Sequence, residues 1–140
     1  MSDGNDFLRS MSIATSGLRA QAGRMRVISE NIANADSTAK TAGGDPYRRK
    51  IPTFSSELDR TIESRVVTLG KIKIDTSDFR VKHEPGNPSA DANGNVKYPN
   101  VNSLVEMTDM REAQRSYEAN LNIISATRRM IQRTLDILKA

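Results

Sequence analysis

The chain has 140 residues, no cysteine and a formal net charge of +4, and 36% of its residues are hydrophobic. This length fits one ordinary domain, and the missing cysteines exclude disulfides and thiolate metal sites. Large aromatic side chains, which usually dominate burial in a compact core, are scarce (three Phe, three Tyr, no Trp), so we expect a single copy to bury too little for a firm fold.

The first predicted element is a long helix over roughly residues 6–34, with helix-capping side chains at Asp3 to Asp6. Its apolar residues recur every seven positions, and a helix returns to nearly the same face after seven residues. The helix is predicted to end in the polar segment Asn31–Thr38. The residues of its apolar stripe are Leu8, Met11, Leu18, Met25, Ile28 and Ile32.

Two glycines, Gly17 and Gly23, interrupt this helix, and each costs about 1 kcal/mol relative to alanine. One interpretation is a softened, slightly bent helix. The other is that Gly17, Ala20 and Gly23 line a side on which the backbone of another helix approaches closely. The residues alone leave both open.

The middle of the chain holds all five prolines, which the interior of neither helix would tolerate. It is predicted to be a small β-rich or irregular module with few strands. Strands are expected near 47–54 and 66–74, a partner strand near 79–83, a weak helix or irregular link over 55–65, and a loop over 84–100.

A second long helix is predicted over roughly residues 103–139, opened by a capping box in which Ser103 and Glu106 satisfy each other's backbone donors. No glycine or proline interrupts it. Its stripe again has seven-residue spacing, which predicts a narrow helix-pairing seam. The residues expected to make contacts are Met110, Tyr117, Leu121, Ile124, Ile131 and Leu138.

These elements predict a mainly α fold in which two long terminal helices form a coiled-coil-like pair around a small β-rich or irregular central module. The corresponding segments are residues 1–35, 36–102 and 103–140. The stripe residues of both helices are predicted subunit-interface residues. For any one of them the alternative is a contact between the two helices of the same subunit.

The sequence gives little support for catalysis or for a cofactor or metal site. His83 is the single histidine, and general acid–base or metal chemistry usually needs histidine with nearby partners. Arg48-Arg49-Lys50 is the tightest basic cluster, and we interpret it as a solvated loop rather than a nucleic-acid site. We therefore expect no enzyme.

Nothing in the sequence predicts a membrane span, since no apolar run is long enough. The first residues are polar and acidic, unlike a cleaved secretory signal. We expect that any export uses a route without such a peptide.

Several motifs together resemble the FlgC family of flagellar basal-body rod proteins, and the resemblance covers nearly the whole chain. Ser16-Gly17-Leu18 and Ser29–Ala35 are similar to the N-terminal signature of flagellar axial proteins. The motifs that narrow it to this family are Gly43–Lys50, Ala90–Gly94, Tyr98–Asn102 and Met107–Asn120.

The resemblance implies a structural subunit of the proximal rod, the drive shaft that crosses the periplasm from the motor ring to the distal rod and hook. It implies paired terminal helices in the inner tube and export by the flagellar type III apparatus. The implied partners are other copies of the chain, other rod proteins and the export-gate or MS-ring adaptor at the rod base.

The alternative function is a soluble coiled-coil adaptor or a nucleic-acid-associated protein.

Overall fold

The computed structural model describes residues 2–140, with side chains from residue 4 onward. Within these residues two long helices stand at the ends: α1 spans Ser2–Ala33 and α2 spans Ser103–Lys139. The predicted fold class, mainly α with a small β module, is confirmed. The strands between the helices are β1 (Lys50–Ile51), β2 (Phe54–Asp59), β3 (Ser64–Leu69), β4 (Lys73–Ile74), β5 (Arg80–His83) and β6 (Asn95–Tyr98).

The strands pair in three antiparallel two-stranded ladders within the described residues. In β1–β4, Lys50 lies opposite Ile74. In the β2–β3 hairpin, Phe54 lies opposite Leu69, and the Gly70 N–H donates to the Thr53 carbonyl at 2.6 Å just beyond the last pair. In β5–β6, the register runs from Arg80 opposite Tyr98 to His83 opposite Asn95.

Three strand predictions are wrong in detail. The segment 55–65, predicted as a weak helix or link, holds most of β2 and the turn into β3, and the stretch 66–74 divides into β3 and β4. The strand near 79–83 forms, but its partner is β6, inside the predicted loop 84–100. Pairing and packing decide these strands rather than residue preference: Val96 in β6 is fully buried, although polar residues surround it in sequence.

The helix ends differ from the prediction at both N-termini. The expected cap of the first helix, Asp3 to Asp6, lies inside α1, and the Asp3 side chain lies outside the described part of the chain. The cap of α2 is Asn102, whose Oδ1 accepts from the Leu104 N–H at 3.1 Å. The predicted Ser103–Glu106 capping box is wrong, because the Glu106 carboxylate bonds to side chains outside α2.

The chain forms two compact units, and each helix contributes to both. The first contains α1 up to Met25, residues 53–71 and α2 from Glu112 onward. The second contains residues 26–52 and 72–111. The division of the sequence at residues 35 and 102 stays a prediction about domains.

In the first unit the two helices run in opposite directions. The Arg24 guanidinium lies 3.6 Å from the Glu112 carboxylate, and a side chain placed at Gly17 would meet the Asn120 amide at 3.0 Å. Gly23 instead faces the hairpin, since a Cβ there would lie 2.8 Å from Leu69 Cδ2. Gly17 and Gly23 therefore do not line one common side, and only Gly17 faces another helix.

Candidate subunit interface and buried polar cluster

The predicted stripe of α2 is divided between two environments. Met110, Tyr117, Ile124 and Ile131 are half-buried. They lie on the same side of α2 as Ala113, whose side chain is fully buried. Two other predicted residues, Leu121 and Leu138, are 46% and 76% exposed. The stripe thus includes both partly covered and open positions, and its role between subunits stays a prediction.

The predicted stripe of α1 shows the same division. Ile28 is buried in the second unit. Leu8 is exposed, and the remaining four residues are half-buried: Met11, Leu18, Met25 and Ile32. Since their side chains keep part of their surface free, they are able to pair helices within a subunit and also contact a neighbour.

The side chains that are fully covered in the first unit are small. They are Ala14, Ala20 and Ala113, with the hydroxyl-bearing Thr127. Each covers far less apolar area than a leucine or phenylalanine would. The first unit of a single copy therefore has a thin core.

A second apolar stripe on α2 was missed by the sequence analysis. Ile123, Met130 and Ile137 recur every seven residues and are 46%, 52% and 74% exposed. Adjacent helix residues point about 100° apart, so this stripe lies about a quarter turn from Ile124 and Ile131. The seven-residue spacing was present in the sequence, but the neighbouring stripe with the same spacing concealed it.

An open groove lies between the helices in the first unit. Its volume is about 320 Å³ and its walls are almost entirely apolar. The lining residues are Gly4, Phe7, Leu8, Ile131, Thr134 and Leu135. The antiparallel helix pair is therefore not fully packed at this end of the unit.

The β2–β3 hairpin packs on α1 through its β3 strand. The Val67 N–H donates to the Ser16 hydroxyl at 3.3 Å, and Leu69 lies against Gly23. The β2 strand carries the exposed side chains of Phe54 and Leu58. Apolar surface is thus left open on the hairpin as well as on the helices.

The second unit holds a buried polar cluster around Asn31 and Glu106, which are 0% and 1% exposed. The Asn31 amide donates to the Lys50 carbonyl at 2.8 Å and to Glu106 Oε2 at 3.1 Å. Its Oδ1 accepts from the Tyr47 hydroxyl at 2.8 Å and from the Lys50 N–H at 2.9 Å. All the hydrogen-bonding capacity of this amide is used.

Arg49 supplies the positive charge that faces Glu106. Its Nε donates to the Glu106 carboxylate, and its terminal nitrogens lie 3.6 Å from Asp75 and 3.8 Å from Asp109. Burial lowers the pKa of Arg49, but the hydrogen bond with Glu106 and the three carboxylates raise it by more. The Glu106 carboxylate is therefore buried with a cation that stays charged.

The environment of Tyr47 favours its neutral form. Burial, and then the negative charges of Glu30 and Glu106, raise the pKa of Tyr47 to about 12. The phenol therefore keeps the proton that it donates to Asn31.

The interpretation of Arg48–Lys50 as a solvated loop is wrong. The Arg48 Cζ lies 4.2 Å from the centroid of the Phe79 ring, and Lys50 pairs with Glu30.

The cluster is suited to holding segments together rather than to chemistry. Every polar group in it faces a protein partner, and its one carboxylate with full burial is neutralised by Arg49. His83 lies apart and is exposed, with Nδ1 3.2 Å from Asn95 Oδ1. Among the side chains of residues 4–140, no group of His, Cys, Asp and Glu is arranged to hold a metal ion.

No helix in the described part of the chain has a stretch both long and apolar enough to cross a lipid bilayer.

Two protein families match parts of this chain. A family described as "Flagella basal body rod protein" matches residues 11–39. A family described as "Flagellar basal body rod FlgEFG protein C-terminal" matches residues 92–137. Together they cover most of α1 and α2.

Curated relatives match over nearly the full length. The flagellar basal-body rod protein FlgC of Agrobacterium fabrum is 56% identical over 91% of this chain and 92% of its own. The FlgC protein of Bacillus subtilis is 40% identical over 93% of this chain and 97% of its own. That of Salmonella typhimurium is 37% identical, with 94% and 97% covered. These matches do not favour a soluble coiled-coil adaptor or a nucleic-acid-associated protein.

Proposed function

Because the chain belongs to the FlgC family of flagellar basal-body rod proteins, we propose that it builds the proximal rod through lateral contacts of its two long helices. The chain is a structural rod subunit of the flagellar basal body. We further propose that its helices carry the contacts between subunits and that the subunit performs no catalysis.

The observation that supports this proposal is the open stripe on α2, formed by Ile123, Met130 and Ile137. Fully covering an aliphatic side chain of this size contributes about 1.5–3 kcal/mol. Scattered apolar residues on a surface need no explanation, but a seven-residue repeat along three turns or more is the pattern of a helix-pairing face. A neighbouring copy with helices in the same arrangement offers a matching surface.

The helix α1 supplies a second open surface. Leu8 is exposed, and Met11, Leu18 and Met25 keep part of their surface free. A contact between two different surfaces of the same chain is heterologous, and where its rotation does not close into a ring, repetition builds a helical filament. The two stripes meet this requirement, since they lie on different helices.

A rod must transmit torque without slippage between subunits. Many contacts spread along a helix resist rotation better than one local patch, because each side chain is held by several neighbours. We propose that torque passes through these stripes to the distal rod and hook. The further proposed partners are other rod proteins, the export-gate or MS-ring adaptor at the base, and the flagellar type III export apparatus.

The proposal is tested by placing one negative charge in the α2 stripe of a motile strain. Ile123→Asp should abolish rod assembly, seen as missing rods in purified basal bodies, because a carboxylate would be buried without a partner. The matched control is Asn122→Asp, which places the same charge at the preceding exposed position. Normal rods and swimming with Ile123→Asp would contradict the proposal.

A further inference from the structure

Asn31 on α1 and Glu106 on α2 join the two helices by a buried hydrogen bond. We propose that this pair, together with Arg49, is a register lock that fixes how α1 is aligned against α2. Buried polar pairs are weak sources of stability, but their best-attested role is to select one alignment among several.

The helices need such a lock because their apolar stripes are periodic. Both stripes repeat every seven residues, so a slip of one helix by seven residues brings apolar side chains back into contact. Such a slip displaces the helices by about 10 Å, at about 1.5 Å per residue. Apolar contact alone distinguishes these alignments poorly.

The polar cluster distinguishes them clearly. In the observed alignment Asn31 has a partner for both donors and both acceptor positions. A seven-residue slip would put position 113, an alanine, where Glu106 now lies. The amide and the carboxylate would then be buried without each other, and unsatisfied buried polar groups are costly.

The lock also holds the segment that leads into β1. The backbone of Lys50 both donates to and accepts from Asn31, and the Arg49 N–H donates to Asn100 Oδ1 at 2.8 Å. Three parts of the second unit are therefore aligned by one buried amide.

The test uses distances between two spin labels on the isolated full-length chain, which has no cysteine of its own. Ser29→Cys and Thr108→Cys place one label on each helix at exposed positions of the second unit. The unaltered cluster should give one narrow distance. Asn31→Leu with Glu106→Leu should add a second population with a longer label-to-label distance, because one helix is shifted by about 10 Å along the other, while Arg49 keeps Asp75 and Asp109 as partners.

Two controls separate alignment from general stability. Glu106→Gln keeps an acceptor for Asn31 and should keep the single distance. Thr127→Val removes a buried hydroxyl whose bond stays within α2, and it should also keep the single distance. If the double variant loses its helical circular dichroism, Glu106→Met replaces it, with the same displaced population expected.

A single unchanged distance in the folded double variant, or in Glu106→Met where that replaces it, would overturn the lock. A broad distribution with the cluster intact would overturn it as well. The experiment concerns one subunit and does not depend on the proposed function. The basal-body assay would refute the proposed rod contacts, whereas the distance measurement would refute the register lock.

Discussion

At the scale of the residue, a buried amide is stable only when its donors and acceptors find partners. Asn31 finds them in Glu106 of the facing helix α2, in Tyr47 and in the Lys50 backbone. Neither Asn31 nor Glu106 could be recognised from sequence, because an asparagine near a helix end and a glutamate in a first turn are typical of capping. The two residues are hydrogen-bonded to each other, although they lie 75 positions apart in the sequence.

Loss of the buried carboxylate should reduce stability. We predict that Glu106→Ala lowers the free energy of unfolding by about 2 kcal/mol, since hydrogen bonds to a charged group are lost and Asn31 keeps an unpaired donor. Asp109→Ala is the matched control on the same Arg49 and should cost less than about 1 kcal/mol, as a partly exposed pair. Urea unfolding followed by circular dichroism measures both, and equal losses would argue against this account of the cluster.

The raised pKa of Tyr47 predicts a stability loss in alkali. The pKa in the folded chain is about 12, above the ordinary value of 10.0, so the folded chain keeps a proton that the unfolded chain releases. Its contribution is complete below about pH 10 and is lost as the pH rises to about 12. Tyr47→Phe removes the titrating hydroxyl, and this variant should lose less stability between about pH 9 and about pH 11 than the parent chain does.

Urea unfolding at the two pH values measures this difference. Tyr117→Phe is the control, because it leaves Tyr47 in place and should keep the parent's alkaline loss. An identical loss in Tyr47→Phe would show that another group is responsible.

At the scale of the element, the long helices were predictable and the short strands were not. Seven-residue spacing over about 30 residues is a strong signal, and α1 and α2 end within a few residues of the predicted bounds. Strands of two to six residues depend on partners: β6 forms because Val96 is buried beside β5. Exposed β2 has no such sequence pattern and is held through β3.

Gly17 provides a test of the helix pairing. A Cβ there would lie 3.0–3.2 Å from atoms of the Asn120 amide, which must then shift by a few tenths of an ångström. Gly17→Ala should therefore be nearly neutral, because the gain in helix propensity, about 1 kcal/mol, offsets the crowding. Gly17→Leu should destabilise by about 1–3 kcal/mol through overpacking.

Gly4 is the matched control, since nothing lies within 4 Å of a Cβ at that position. Gly4→Leu should leave the free energy of unfolding unchanged or slightly raise it. Thermal unfolding of the parent chain and the three variants makes the comparison, and a tolerated Gly17→Leu would mean that the helices are not in contact there.

At the scale of the whole molecule, the surfaces left open are those that an assembly would cover. The first unit has fully buried residues that are mostly alanine, while leucine, isoleucine and methionine side chains remain exposed on its helices. The sequence predicted a set of interface residues, but it could not divide them between contacts within a subunit and contacts with neighbours. That division depends on the rotation of each helix about its axis, which adjacent stripes with equal spacing do not determine.

Two neighbouring residues separate these roles. Leu121 is about half exposed, and Ile124 is more covered on the α2 side that includes Ala113. Leu121→Asp and Ile124→Asp should both abolish rod assembly while the subunit is still exported. Only Ile124→Asp should also lower the free energy of unfolding, by about 2 kcal/mol, since it buries a charge in the helix pair. Soft-agar swimming and urea unfolding measure the two effects, and swimming cells with either change would contradict the assignment.

The most direct test is a cryo-electron microscopy map of the assembled basal body at side-chain resolution. The account predicts that Ile123, Met130 and Ile137 of each copy lie against helices of neighbouring rod subunits, with the Asn31–Glu106 bond intact inside the copy. A map in which this stripe faces water while the subunit joins the rod through its β module would contradict it.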